Sequence, residues 1–210
     1  MLNLFQHLSR PRNIRRHAKR CGATVRFGVT LCMLLTLLGF HGHTAKGSSL
    51  LSELKMGPLL HDPFSHFVPN RVGVSESGFA LNGELLFKSP GGRIFNFIFN
   101  PRPHIGLNLH TENHTHSTYA GLTWRLFNWD EIIFVNASFG GLIHSGATTK
   151  NRVGSVPLGT RLLFRESIEI GAMLTKRLSL SFILAHASNA NIGKFNPGYN
   201  TLGFRFGCTL

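Results

Sequence analysis

Cysteine is scarce in this chain, with three in 210 residues. Cys21 and Cys32 lie in the N-terminal segment, so Cys208 stands alone in the rest and no internal disulfide can form there. Cys208 reads as a small apolar residue on a strand rather than a redox centre. Acidic residues are also few, 9 against 22 basic ones, for a formal net charge of +13. No apolar run approaches the roughly 20 residues of a spanning helix. Beyond residue 48 no long stripe of 3.6-residue period appears, nor any fixed-period repeat or low-complexity tract. These absences exclude a disulfide scaffold, a helical bundle and a helical membrane protein. A composition of 42% hydrophobic and 15% charged residues excludes a disordered chain.

The excess of positive charge suggests a nucleic-acid binder until it is divided by position. Residues 1–47 hold Arg10, Arg12, Arg15, Arg16, Lys19, Arg20, Arg26 and Lys46, and no acidic residue at all. The same segment continues with "FGVTLCMLLTLLGF", residues 27–40, and then with small residues. A basic stretch, a short apolar core and small residues at Ala45 and Gly47 make an export signal, cut near Gly47. The expected organisation is therefore a signal peptide over 1–47 and one domain over 48–210, with no nucleic-acid partner.

What fills residues 48–210 is alternation. In "RLSLSFILAHAS", Leu178, Leu180, Phe182 and Leu184 share one face and Ser179, Ser181, Ile183 and Ala185 the other. In "NTLGFRFGCTL", Leu202, Phe204, Phe206, Cys208 and Leu210 oppose Thr201, Gly203, Arg205, Gly207 and Thr209. "TYAGLTWRLF" sets Ala120, Leu122, Trp124 and Leu126 against Tyr119, Gly121, Thr123 and Arg125. A soluble sandwich alternates too. Here, however, arginines share the small, glycine-rich face, while the opposite face is bulky and aliphatic. A narrow membrane barrel needs that distribution, with large apolar residues toward lipid and small or polar ones in a tight lumen.

The expected fold is thus all-β, an eight-stranded antiparallel transmembrane barrel of the outer-membrane type. Its strands fall near 50–59, 78–88, 103–111, 117–127, 131–143, 160–174, 177–188 and 200–210. Short turns at one end and longer loops at the other place both termini in the periplasm. The connection "SPGGRIFNFIFNPRP" is long for a periplasmic turn, and its hydrophobes fit a short helix at the interface.

One stretch breaks the apolar row. His186 and Ser188 continue the parity of Leu178 to Leu184, and Asn200 shares that of Leu202 and Phe204. All three would project from the outer wall near the outer headgroup layer, where polar groups cost least. An imidazole two residues from a serine on a strand can take its proton, the core of nucleophilic catalysis. The bland alternative is that these residues only mark the interface.

The segment "HASNANIGKFNPGYNTLGFRFG" resembles the signature of the lipid A 3-O-deacylases, the PagL-type outer-membrane acyloxyacyl hydrolases. Upstream, "SELKMGPLLHDP", "LNGELLFKSP", "PRPHIGLNLHTE", "YAGLTWRLF", "NASFGGLIHSG" and "LGTRLLFRESIEIG" resemble the family's strand segments in order. The resemblance implies a serine hydrolase on the barrel exterior, cleaving the ester-linked 3-O-acyl chain of lipid A and releasing a 3-hydroxy fatty acid. Ser188 would be the nucleophile and His186 the general base, then acid. Asn189 and the backbone N–H of Asn191 would form the oxyanion hole. No cofactor or metal is implied; the partners are lipopolysaccharide and outer-membrane lipid, and a homodimer is left open.

Two departures matter. Asn200 stands where the family's best-known members carry a glutamate, and Asn191 where the family favours glycine. An amide can orient a histidine but adds no charge. Glu166 shares the outward parity of Leu162, Phe164 and Ile168 and could face outward, but it is expected to be a lumen residue displaced by a bulge. Arg161, Arg165 and Glu169 share the other parity and are expected to form a lumen charge network. Lys194, Lys150 and Arg152, with Arg71, fall in or beside outer loops and could hold the phosphates of lipid A. His110, His114 and His116 have metal-like spacing but lie in one loop without fixed geometry. The rival functions are an inactive barrel with a structural or adhesive role and an outer-membrane phospholipase.

Overall fold

The computed structural model describes residues 50–64, 76–112, 115–150 and 155–210. The expected signal segment, Arg71, His114 and Arg152 lie outside the described residues. Eight strands follow one another in sequence: β1 (Leu51–His61), β2 (Gly78–Phe87), β3 (Arg102–His110), β4 (Ser117–Trp129), β5 (Ile133–His144), β6 (Leu162–Met173), β7 (Leu178–Ser188) and β8 (Tyr199–Thr209). Each pairs antiparallel with its neighbour, and β8 returns to β1, so the sheet closes without an edge. The expected strands are all present, and the connection between β2 and β3 holds a short helix, α1 (Gly92–Phe97). Ile94 and Phe97 of α1 and Phe99 beyond it are exposed, and the Trp124 indole donates to the Ile98 carbonyl at 2.7 Å. That contact pins the connection to β4 at the same end as the tight turns.

Alternation does what the sequence pattern requires. On β7, Ser179, Ser181, Ile183, Ala185 and Ala187 are buried, while Phe182 and Leu184 are exposed. On β8, Thr201, Arg205 and Gly207 are buried and Phe204 and Phe206 exposed. The outward wall is therefore aliphatic and aromatic, and the lumen is polar.

That lumen is packed, not open. Glu169 sits at its centre, accepting from Lys55 Nζ at 2.6 Å, Arg205 Nη2 at 2.7 Å, Asn136 Nδ2 at 2.7 Å and Ser181 Oγ at 2.6 Å. Arg205 also pairs with Glu84 at 3.0 Å, and the Tyr119 hydroxyl donates to the same carboxylate at 2.9 Å. Desolvated charges of this kind are tolerated only when each finds several partners, as these do. Gly106 lies under the Tyr119 phenol, where any Cβ would collide with the ring. The tight lumen thus explains why one face of each strand is small.

The expected network of Arg161, Arg165 and Glu169 needs correction. Glu169 is its hub, but Lys55 and Arg205 are its cations. Arg165 instead stacks over the Tyr119 ring, 4.0 Å from its centroid. Arg161 precedes β6, is exposed, and donates to the carbonyls of His144 and Gly146. The reason is length: the lumen charges cluster at mid-barrel, and Arg161 sits above them at the rim.

At the far end the described loop residues are tied to one another. Glu76 accepts from Thr115 Oγ1 at 2.5 Å and from the Val156 N–H at 3.0 Å, joining three connections. Val156 and Leu158 pack with Tyr119, Leu142, Leu163, Ala187 and Tyr199 into a buried apolar cluster. This plug backs the wall that carries the polar row.

Candidate active site

His186 and Ser188 end β7 on its outward row, half-buried, and Asn200 opens β8 on the same wall. The β7–β8 register sets His186 opposite Asn200 without a bulge. His186 Nδ1 lies 2.9 Å from Asn200 Oδ1. With a carbonyl oxygen as acceptor, Nδ1 carries the proton and Nε2 keeps its lone pair. That is the tautomer a general base needs. Ser188 projects beside the ring, two residues along the strand. Ser188 Oγ and His186 are not hydrogen-bonded in this structure; such bonds commonly close when substrate arrives.

The β7–β8 loop shapes the ground above Ser188. Ala190 and Asn191 have φ of 51° and 62°, and the Ile192 N–H donates to Asn189 O at 3.0 Å. Two consecutive left-handed residues make a tight turn of the type I′ kind. Asn tolerates this conformation, which is why Asn191 can stand in place of glycine. The Ala190 and Asn191 N–H groups make none of the hydrogen bonds within the described residues.

Asn189 has a different place from the one implied by the resemblance. It is buried, and its Nδ2 donates to Leu158 O at 2.8 Å and Phe195 O at 2.6 Å. Its backbone N–H donates to Asn196 Oδ1 at 2.9 Å. Its donors are thus spent on fastening the loop to the plug. Asn196 escaped the sequence reading, although it also reaches Asn191 Oδ1 through Nδ2 at 3.0 Å. Gly198 escaped it too. Its φ is 57°, and a Cβ there would lie 2.9 Å from His186 Cε1 and 3.2 Å from Nε2. The "NPG" signature therefore braces the turn and clears space for the imidazole; glycine in a turn motif was the available signal.

Glu166 also needs correction. No bulge interrupts the β6–β7 ladder, and Glu166 is exposed on the outward wall, directly opposite His186. Phe164 pairs with Ser188 one row toward the rim, and Ile168 pairs with Leu184 one row toward mid-barrel. Phe164, Ile168 and Leu184 are exposed, so the polar row borders an apolar strip that descends the barrel wall.

Two loop cations converge nearby. Lys150 Nζ lies 5.2 Å and Lys194 Nζ 6.0 Å from the centroid of the Phe195 ring, one from each of two loops. His110 and His116 are engaged elsewhere: the His110 N–H donates to His116 Nδ1 at 3.0 Å, and His110 Nε2 lies 3.3 Å from Glu76 O. Among the described residues no group of His, Cys, Asp and Glu is arranged to hold a metal.

Comparison with known proteins bears on the family and the fold. A family model described as lipid A 3-O-deacylase (PagL) matches residues 71–209, which include β2 to β8 and the whole polar row. Among solved structures, that of the outer membrane enzyme PagL superposes with a TM-score of 0.52 at 16% identity, covering 76% of this chain and 100% of that one. At that identity the likeness concerns the fold. No curated protein matches the chain.

Proposed function

The chain belongs to the lipid A 3-O-deacylase (PagL) family of outer-membrane barrels, and from that premise we propose that it is a serine esterase with Ser188 as nucleophile. The substrate is lipid A in the outer leaflet. Its 3-O-acyl ester reaches the barrel from the side, without leaving the membrane. Residues 1–47 serve as the export signal.

The chemistry proceeds in two steps. His186 Nε2 takes the Ser188 proton as Oγ attacks the ester carbonyl. The C–O bond to the sugar breaks, and the imidazolium returns the proton to the departing sugar hydroxyl. A water, activated by the same nitrogen, then hydrolyses the acyl-serine and frees the 3-hydroxy fatty acid. The acyl chain lies along Phe164, Ile168 and Leu184, exchanging contact with lipid for contact with protein.

The developing oxyanion needs donors above Ser188. The unengaged N–H groups of Ala190 and Asn191 supply them, with the Asn196 amide beside them. Asn189 acts by holding this turn in place. Lys150, Lys194 and Arg152 bind the lipid A phosphates, where two ammonium groups beside one aromatic ring favour a compact anion.

The observation that carries this reading is the hydrogen bond that fixes the His186 tautomer on the wall shared with Ser188. The test is a digest of lipid A and of outer-leaflet phospholipid by purified protein in detergent. Loss of one 3-hydroxyacyl mass from lipid A, absent with S188A, supports it. Release from phospholipid alone, or from neither, contradicts it.

A further inference from the structure

A charged side chain on the lipid-facing wall of a barrel is costly, and strands avoid it. Among the described residues this barrel places two ionisable side chains there. Every other Asp, Glu, Lys, Arg and His of the eight strands is buried in the lumen or bonded to a lumen group, as Arg102 is to Glu53 and Arg125 to Asn136. The outward pair is Glu166 and His186. They are direct partners across the β6–β7 ladder. Side chains so opposed have Cβ atoms about 4.5–5.5 Å apart.

We propose that Glu166 is a positioning residue for the esterase, the carboxylate that stabilises His186 when it becomes imidazolium. This rests on the reading of Ser188 and His186 given above. Asn200 holds Nδ1 but is neutral, so it orients the ring without compensating its charge. The other groups around His186 do not compensate it either. Tyr199 and Arg165 lie beside its inner edge, and Arg165 is a cation. Ile168 and Leu184 flank it toward mid-barrel and are apolar. Glu166 is the one anion facing the ring from the strands that pair with β7. Orientation and charge, which one carboxylate performs in a serine triad, are here divided between two strands on opposite sides of the imidazole.

Glu166 lies near enough to act by field alone. At about 5–6 Å and an effective dielectric of about 25–40, between a protein surface and water, an ion pair changes a rate by on the order of 10–100-fold. A purely structural role predicts otherwise, because glutamine is the same size and cheaper to expose to lipid.

The test uses the full chain refolded in detergent, with lipid A as substrate and heat-modifiable gel mobility as the fold control. E166Q is expected to lower kcat about 10–100-fold with KM unchanged, while E166D keeps more activity than E166Q. Placing the charge on the other side of the ring, with N200E in the E166Q background, is expected to restore most of the loss. An E166Q kcat within about twofold of wild type, or a loss that neither E166D nor N200E relieves, overturns the inference while leaving Ser188 as nucleophile. Activity surviving in S188A overturns the reading beneath it instead, and this inference with it. If E166Q does not fold, N200E alone decides: a rise in kcat supports a charge requirement, and a fall contradicts it.

Discussion

His186 and Asn200 face each other across the β7–β8 ladder, joined by a hydrogen bond of 2.9 Å on the outside of the barrel. The two strands are consecutive and are joined by the ten residues 189–198. Because β7 and β8 pair without a bulge, the contact is fixed by register, and the loop is free to serve the oxyanion.

Removing the pair separates orientation from proton transfer. S188A and H186A should each abolish acyl release, leaving at most the residual rate that binding and the oxyanion donors sustain. N200A should reduce kcat by about 10–100-fold, since the ring then lacks its tautomer partner. Rates from single-turnover assays on lipid A check the order: S188A and H186A lowest, N200A between them and wild type.

Gly198 should tolerate no side chain. At φ 57° a Cβ would sit 2.9 Å from His186 Cε1 and 2.8 Å from the Ala187 carbonyl. Left-handed backbone adds roughly 1 kcal/mol of strain for alanine. G198A should cut kcat about tenfold or more by displacing the imidazole, a loss of at least roughly 1.4 kcal/mol in transition-state binding. Phosphonate labelling of Ser188, compared between G198A and wild type, measures it.

The lysines should affect binding rather than chemistry. Lys150 and Lys194 flank Phe195 from two loops and make no contact with the His186 ring in the described residues. The double variant K150A/K194A should raise KM several-fold on bisphosphorylated lipid A and leave kcat little changed. With dephosphorylated lipid A the variant and wild type should match; equal losses on both substrates would remove phosphate from the explanation.

Stability should be governed from the lumen. Glu169 bonds Lys55 and Arg205, both buried, and its neutralisation would leave Arg205 with Glu84 alone and Lys55 with the more distant Glu53 at 3.7 Å. E169Q should lower barrel stability by about 3–5 kcal/mol, read from urea unfolding in detergent. Acyl release per folded molecule should be retained, because Glu169 faces away from the catalytic wall.

Much of this was legible because a barrel strand has a period of two. Parity alone put His186 and Ser188 on the lipid side and Arg205 in the lumen, and the residues bear it out. Parity also put Glu166 outside; expecting a bulge there gave too much weight to the cost of an exposed carboxylate. What parity cannot give is contact between strands and loops. Asn189 is engaged with Leu158, 31 positions away, and no local pattern announces such a bond. The pairing of Glu166 with His186 likewise depends on the β6–β7 register, which is set by a turn and a whole ladder rather than by either residue. Arg161 shows the same limit, since parity tells inside from outside but not height along the barrel.

The most direct test of the account is the mass of lipid A after incubation with wild-type protein and with S188A. Lipid A should lose one 3-hydroxyacyl group with the wild type and keep its mass with the variant, whose gel mobility still shows a folded barrel. An unchanged mass with both, or the same loss with both, would contradict it.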